Sequence, residues 1–265
     1  YIADGCGHNH SLAINGDGYF VFKEGERYFY SRAGNLYLDE FGTLVNADGY
    51  KVQAFNTDGD LTDVTVNVNA VMPYVRTEEL GLSGNLSIDA GDAFVYHQQF
   101  EVVDGTGKSH RVNMYFKHDL NNQSWEVYFT DPKDPSANLE YIISFNSGSA
   151  ELLDSSMSPV TQMNLPIDDG NTTLPVTLDL SKLTYAEGPN DALAIPDGNT
   201  EGQLESFNIG SRGEINGIYS NGLVSVLGYL AIAKFSNSSG LQAAGGNLFV
   251  ATVNSGDANI GIAGE

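Results

Sequence analysis

The sequence is short of cysteines, basic residues and long apolar runs, and each shortage excludes a class of protein. Its one cysteine, Cys6, cannot form an internal disulfide, which excludes a disulfide framework within the chain. Lysine and arginine number 12 against 34 aspartate and glutamate, and the formal charge of -22 repels nucleic acid phosphates and anionic lipid headgroups. No run of about 18 apolar residues occurs. The sequence therefore predicts no nucleic acid partner and no membrane insertion.

Strand and turn patterns run along the whole chain, and no helical periodicity is sustained. Short apolar or aromatic runs, such as residues 19–23, 27–31 and 51–55, are separated by turns rich in glycine, aspartate and asparagine. Glycine supplies the positive φ that a tight turn needs, and Asp or Asn side chains bond to the nearby backbone. Residues 64–68 alternate strictly between apolar and polar, which is typical of a strand with one solvated face. The predicted fold class is all-β.

The spacing of the turns changes along the chain, and this change predicts two β-domains. At roughly 100–200 residues per domain, a chain of 265 residues is long enough for two. Dense Asp-Gly turns stop near Met72 and the same texture returns near Gln203, whereas longer strands fill the middle. We therefore predict a discontinuous β-domain, residues 1–75 plus 205–265, with a second β-barrel or sandwich domain, residues 76–204, inserted into it.

The segments near the domain boundaries are predicted to be irregular. Residues 72–86 and 195–205 are interrupted by proline, glycine and charged residues, so we expect linkers that act as a hinge between the domains. Residues 155–202 are rich in Asp, Asn, Pro and Thr. We expect long, exposed connections there, with one strand near residues 176–180.

No catalytic constellation can be assembled from the sequence, so the chain is predicted not to be an enzyme and to need no cofactor. The spacing of Cys6, His8 and His10 could bind zinc, but structural zinc takes four ligands with a wider loop between pairs. The alternative is an N-terminal segment with incidental ligands. No Gly-x-Ser-x-Gly motif of a serine hydrolase accompanies the remaining histidines, which are His97, His110 and His118.

The acidic residues and the glycine-rich turns resemble binding motifs only in part. With 34 acids, a neighbouring pair of carboxylates carries no information about a glycosidase. Aligning Gly49 or Gly59 with an EF-hand loop places Leu44 or Ala54 at the first ligand position, which excludes that loop and leaves a weak surface calcium site open. Residues 104–109 end in Gly-Lys-Ser but lack the first glycine of a P-loop, so they are interpreted as a hairpin turn.

Five motifs near the two ends of the chain resemble the bacterial flagellar rod and hook proteins. Residues 12–21, 30–39 and 44–53 match the family's N-terminal β-domain motifs in order, departing at Ala54. Two more motifs follow in order within residues 217–249. The middle of the chain, around residues 100–131, resembles the hook members of the family. The signature positions carried over by this resemblance are Asn15, Gly16, Gly18, Arg32, Gly34, Asp48, Gly49, Tyr219, Asn221, Gly222, Gly240 and Asn247.

The resemblance implies a structural subunit of the hook, a curved, flexible tube that acts as a universal joint between the rod and the filament and serves motility. It implies self-assembly into a helical polymer, and contacts with rod, hook-cap and hook–filament junction proteins. It also implies an extracellular location reached without a cleaved signal peptide. The family's helical terminal segments are not in this sequence, so the chain is expected to comprise the outer two domains and to be monomeric in dilute solution.

Three other interpretations remain open at the level of sequence. A distal rod subunit shares the end motifs but has nothing comparable to the middle segment. A secreted β-rich adhesin or carbohydrate-binding module would need a cluster of exposed aromatics, and a secreted hydrolase would need a buried pair of carboxylates in a cleft. Composition alone rejects neither the adhesin nor the hydrolase, whereas the ordered end motifs favour the hook.

Overall fold

The computed structural model describes residues 2–3, 10–67, 69–146 and 148–263. Within these ranges the chain forms 24 strands, two short 3-10 helices (Asp168–Gly170 and Ser238–Gly240) and no α-helix, which confirms the predicted all-β fold class. Strands β1 to β9 are Ile2–Ala3, His10–Ile14, Tyr19–Glu24, Arg27–Ser31, Gly34–Leu38, Leu44–Val45, Lys51–Phe55, Leu61–Asp63 and Val71–Met72. Strands β10 to β18 are Glu79–Ser87, Val95–Val103, Ser109–Asp119, Ser124–Tyr128, Tyr141–Ser144, Glu151–Asp154, Gln162–Ile167, Thr172–Ala186 and Leu193–Pro196. Strands β19 to β24 are Gly202–Ile209, Glu214–Tyr219, Val224–Lys234, Gln242–Gly245, Leu248–Val250 and Asn259–Ile262.

The chain divides into two compact units. The first, here the split unit, contains the residues up to Met72 together with those from Gly202 onward. The second, the inserted unit, is Pro73–Glu201. Strands β1–β9 and β19–β24 belong to the split unit, and β10–β18 to the inserted unit. Whether each unit is also an independently folding domain stays a prediction.

Strand β21 joins the two chain halves of the split unit. It pairs antiparallel with β3, where Ile232 lies opposite Phe20, and with β7, where Leu230 lies opposite Ala54. Four consecutive residues of β21, Leu230 to Ala233, are buried, as expected for a strand covered on both faces. The main core of this unit therefore mixes side chains from both halves of the sequence, including Phe20, Leu230 and Ile232.

One turn geometry recurs in the chain and explains why Asp, Asn and Gly recur between its strands. At Asn46, the carbonyl accepts a hydrogen bond from the amide of Gly49, and its own amide donates to the carbonyl of Tyr50. The Asn46 side-chain oxygen accepts from the amides of Asp48 and Tyr50, at 3.0 and 2.9 Å. Gly49 has φ +83°, which a glycine adopts without strain. The same backbone bonds begin at Asp39, Asn56, Asp104, Asp154, Gly210 and Tyr219.

The inserted unit is built from two sheets. One has the strand order β16-β17-β10-β18, and the other is the meander β11-β12-β13-β14-β15. In the first sheet, β10 and β17 are parallel, with Leu80 opposite Leu178. A single core of buried residues belongs to this unit, among them Leu80, Phe116, Trp125 and Met163, all with no exposed surface. Burial of this kind contributes about 25 cal/mol per Å² of apolar surface.

The prediction that residues 72–86 and 195–205 are linkers is wrong. Most of the first segment is the strand β10, in which Leu80, Leu82 and Leu86 are buried and alternate with glycine, serine or asparagine. The second is largely covered by β18 and β19. The glycine, serine and asparagine residues of β10 give the sequence the appearance of a loop. The leucines that alternate with them fill the core.

Two further expectations are wrong, for opposite reasons. Residues 155–202 hold three strands, β16, β17 and β18, and β17 runs for 15 residues from Thr172 to Ala186. Of residues 64–68, which were predicted to form a strand, residue 68 lies outside the described residues, and residues 64–67 are not a regular strand. Val64 and Val66 are buried and Thr65 is exposed, but pairing is limited to one bridge between Thr65 and Thr43. The alternation of burial was predicted correctly and the element type was not.

Candidate assembly surfaces

Arg32 fixes the turn between β2 and β3. Its guanidinium donates hydrogen bonds to the carbonyl oxygens of Gly16, at 2.7 Å, and Gly18, at 3.0 Å. It also lies 5.8 Å from the centre of the Tyr19 ring. Asn15 belongs to the same turn. A planar guanidinium can hold two carbonyls at once, which the single ammonium of lysine cannot do in the same geometry.

Three signature glycines lie where the backbone approaches another group closely. A methyl group on Gly18, which has φ +135°, would lie 2.6 Å from Cγ2 of Ile232. One on Gly34 would lie 2.6 Å from the carbonyl oxygen of Leu12, and one on Gly240 would lie 2.5 Å from the carbonyl carbon of Asn254. Distances below 3.0 Å are not tolerated by ordinary packing. These glycines therefore permit local packing within the split unit.

The other signature residues also lie in turns of the split unit. Asp48 and Gly49 belong to the turn that begins at Asn46. Tyr219 begins another, in which the Asn221 side-chain oxygen accepts from the amide of Leu223 at 3.1 Å and Gly222 has φ +82°. Asn247 has φ +62° just before β23. Among the described residues, the signature positions thus shape the backbone and do not converge on a chemical site.

The histidines are dispersed. His118 stacks on Trp125 with ring centroids 4.6 Å apart, and its Nδ1 lies 2.7 Å from the carbonyl oxygen of Ala90. His97 stacks on Tyr115 at 4.4 Å. His10 packs against Phe207 at 4.7 Å, whereas Cys6 and His8 lie outside the described residues.

The carboxylates of the described residues are exposed or half-buried, and no three His, Cys, Asp or Glu residues there form a group that could hold a metal. Instead, aspartates accept hydrogen bonds in turns. The pKa of Asp134 is lowered by the amide and the hydroxyl of Ser136, and that of Asp179 by the amide and the hydroxyl of Ser181. Such turn carboxylates favour their charged form, which suits a solvated acidic surface. No helix among the described residues is long and apolar enough to cross a membrane.

One charged cluster ties two hairpins of the inserted unit together. Asp104 begins the β11–β12 turn, and its Oδ2 lies 2.7 Å from Nε2 of His110. The other ring nitrogen of His110 lies 3.5 Å from Asp168, which also pairs with Lys108 at 2.9 Å. Asp168 lies between β16 and β17, so the cluster holds that connection against the β11–β12 hairpin. The interpretation of residues 104–109 as a hairpin turn is confirmed.

Sequence patterns did not reveal two apolar features of the surface. Phe41, in the β5–β6 turn, is 77% exposed, the largest value of any described aromatic residue. In the inserted unit, an open groove of about 890 Å³ is lined by leucines of β15 and β17 together with small polar residues. Neither has a signature motif, because exposure and concavity arise from chain segments far apart in sequence.

Comparison with known proteins places these two β-units in a structural, non-enzymatic class of flagellar proteins. A family model described as "Flagellar hook protein FlgE/F/G D1 domain" matches residues 13–90, and one described as "Flagellar basal body protein FlaE D2 domain" matches residues 77–222. The flagellar hook protein FlgE of Treponema pallidum (strain Nichols) is 30% identical over 97% of this chain and 69% of its own length. That of Escherichia coli (strain K12) is 29% identical over 96% of this chain and 68% of its own length. A crystal structure of Helicobacter pylori flagellar hook protein FlgE2 has the same fold, with a TM-score of 0.60, 17% identity and 94% coverage of each chain.

The chain belongs to the flagellar hook protein family. It is a structural subunit of the flagellar hook and polymerises with other copies of itself. The recognition from the end motifs and the prediction that the chain is not an enzyme are confirmed.

Proposed function

We propose that these two β-units form the part of the hook subunit that faces the extracellular solvent, and that the subunit is exported without a cleaved signal peptide. In this proposal its partners in the flagellum, besides copies of itself, are the rod, the hook cap and the hook–filament junction proteins. The single observation that carries the proposal is that each unit has an apolar core of its own beneath an acidic exterior. Such units can slide past neighbouring copies on hydrated polar contacts, which rearrange at low cost.

The signature positions stabilise the split unit itself, which leaves the contacts between subunits to other residues. Arg32, Gly34 and Asn221 stabilise the backbone of the split unit through short-range contacts, so the unit keeps its shape under load. The assembly contacts are then made by exposed side chains outside the signature set. A hinge at the two points where the chain passes between the units remains part of the proposal, although the long linkers first expected are absent.

Labelling of intact cells tests the location. A Ser136→Cys variant in a Cys6→Ser background, with the new cysteine in the exposed connection after β13, can be treated with a membrane-impermeant maleimide on cells that produce the protein. We expect labelled curved structures at the cell surface, resolved by electron microscopy. Labelling that appears only after lysis would contradict the proposed location.

Light scattering on the purified chain tests the assembly contribution of its charge. With a formal charge of -22, copies repel one another, so we expect a monomer in dilute solution at low salt and stronger association as ionic strength rises. Association that is unchanged from about 0.01 to 1 M salt would show that repulsion does not govern it.

A further inference from the structure

Phe41 is held rigidly at the surface of the split unit. The Asp39 carboxylate oxygen accepts hydrogen bonds from the amides of Phe41 and Thr43, at 2.9 and 2.8 Å. The following residue, Gly42, has φ +77° and packs so closely that a methyl group there would lie 2.7 Å from the carbonyl oxygen of Val66. The ring is therefore presented on an ordered turn, and its exposure is not the result of a loose loop. An ordered, exposed aromatic ring has the character of an interface anchor.

The groove of the inserted unit is apolar, is lined by few charges and is large enough for the Phe41 ring. Leu152 and Leu183 are buried, whereas Val160, Leu178 and Leu180 are half-buried and line the opening. Of the residues that line it, one, Glu151, is charged. In a chain with 34 acidic residues, this groove is a place where another copy can approach with little electrostatic repulsion. Its volume of about 890 Å³ exceeds that of a single side chain, so a hairpin tip can enter.

We propose that Phe41 of one copy docks into the Leu178–Leu180 groove of a second copy; this inference rests on the proposed function. The ring would contact Leu180 and Val160, and the turn that carries it would lie on the groove's polar rim. Glu40 precedes the ring. Beside the rim residue Ser181 lie Lys182, opposite in sign to Glu40, and Asp179, whose carboxylate accepts a hydrogen bond from the Ser181 amide at 2.9 Å. Anchor and groove belong to different surfaces of the same chain, and a contact of this kind is heterologous. A heterologous contact that does not close by rotation builds an open helical assembly.

Site-specific disulfide formation tests the pairing. In a Cys6→Ser background, chains carrying Glu40→Cys, an exposed position that leaves the Phe41 ring in place, are mixed with chains carrying Ser181→Cys and oxidised mildly. The control mixture pairs Glu40→Cys with Asn138→Cys, an exposed position of the inserted unit outside the groove. We expect the 40–181 disulfide to form at least about tenfold faster than the 40–138 disulfide, since only the first pair is held together.

Equal rates for the two mixtures, or a predominance of 40–40 homodimers, would overturn the inference. As a second measurement, Phe41→Ser should weaken salt-induced association by about tenfold or more, as for loss of an interface anchor. Leu120→Ser, which removes another exposed apolar side chain (48% exposed) from a turn, should leave association unchanged. Association that is unaffected by Phe41→Ser also rejects the pairing. These outcomes are independent of the surface labelling at Ser136, which tests the proposed location.

Discussion

The carboxylate of Asp104 lies 2.7 Å from Nε2 of His110, across the β11–β12 hairpin of the inserted unit. The hydroxyl of Thr106 donates a further hydrogen bond to Asp104 at 2.6 Å, and its amide donates one at 2.8 Å. These donors, Thr106 first and His110 second, hold the pKa of Asp104 well below its usual range, against a smaller opposing effect of desolvation. The folded state therefore favours the charged form of this side chain.

A depressed carboxyl pKa gives a definite sign to the dependence of stability on pH. The stabilisation by charged Asp104 is complete above the unfolded-state pKa of about 4 and is lost as pH falls towards the lower folded-state pKa. We therefore expect the stability advantage of the wild type over Asp104→Asn to decrease as pH is lowered from about 5 to about 2. Urea unfolding followed by Trp125 fluorescence measures it, because this single tryptophan is buried in the inserted unit. An advantage that is constant with pH, or one that Glu140→Gln reproduces, would contradict this.

Close packing at Gly34 predicts a large effect of a single methyl group. A Cβ there would meet the backbone of Leu12 and the ring of Phe20, each within 2.6 Å, and the backbone cannot yield easily. Gly34→Ala should lower the free energy of unfolding of the split unit by about 1–3 kcal/mol. Gly261 is the matched control, since it also lies in a strand of this unit but has no heavy atom within 4 Å of the place that a methyl group would occupy. Gly261→Ala should change stability by less than about 0.5 kcal/mol in thermal unfolding followed by circular dichroism.

The forked hydrogen bonds of Arg32 predict that lysine is not an adequate replacement. Because the guanidinium binds the carbonyls of Gly16 and Gly18 together, Arg32→Lys should lose one of the two bonds. We expect a loss of about 1 kcal/mol in the free energy of unfolding of the split unit. Arg212→Lys, in an exposed turn of the same unit, is the control and should be neutral. Equal stabilities of the two lysine variants would show that the pair of hydrogen bonds from Arg32 does not stabilise the turn.

The recurring turn predicts opposite effects at equivalent positions. Gly59 occupies the fourth position of the turn that begins at Asn56, with φ +88°. Met157 occupies the same position after Asp154, with φ +65°, a conformation that costs a side chain about 1–2 kcal/mol. Gly59→Ala should therefore lower the free energy of unfolding by about 1–2 kcal/mol. Met157→Gly should raise it by about 0.5–1 kcal/mol, after the greater freedom of glycine in the unfolded chain is included. Urea titrations of both variants and of the wild type measure the sign of each change in the free energy of unfolding.

These turns also show why part of the fold could be predicted from the sequence. The backbone bonds of the turn at Asn46 involve residues no more than four apart, so the motif carries its own geometry and places β6 and β7 on either side. The hairpins beginning near Tyr19 and Gln98 are predicted from the sequence for this reason. β10 and β17 have no such local signal, since they are parallel and pair residues about 98 positions apart, as in Leu80 with Leu178. In a single sequence, a strand such as β10, which has a distant partner and carries glycine and serine on its outer face, cannot be told from a loop.

The same distinction applies to the candidate surfaces. Arg32 and Gly34 could be named from a motif, and the structure supplied their contacts. The groove at Leu180 depends on the approach of β15 and β17, which no local pattern encodes. The exposure of Phe41 also could not be predicted, because an aromatic residue in a β-rich sequence is more often part of a core.

The register of β9 and β19 predicts that the inserted unit can be removed without unfolding the split unit. Met72, the last residue of β9, lies directly opposite Gly202, the first residue of β19, in an antiparallel pair. Two residues in a tight turn are the usual connection between strand ends placed in this way, and Asn-Gly is the favoured sequence. A chain in which Asn-Gly replaces residues 73–201 should therefore keep a folded split unit. Its thermal unfolding, followed by circular dichroism, should be cooperative, and Gly34→Ala should lower its stability as it does in the full chain.

The excised segment Pro73–Glu201 should fold by itself, because its core residues, from Leu80 to Ala194, all come from within it. We expect the fluorescence of Trp125 to be as in the full chain, and the free energy of unfolding in urea to agree within about 1 kcal/mol. The control is the same segment carrying Leu82→Ala, which removes a buried side chain and should cost about 2–5 kcal/mol in both contexts. If the excised segment unfolds without a cooperative transition while the shortened split unit remains folded, the inserted unit depends on the rest of the chain and is not a domain in its own right.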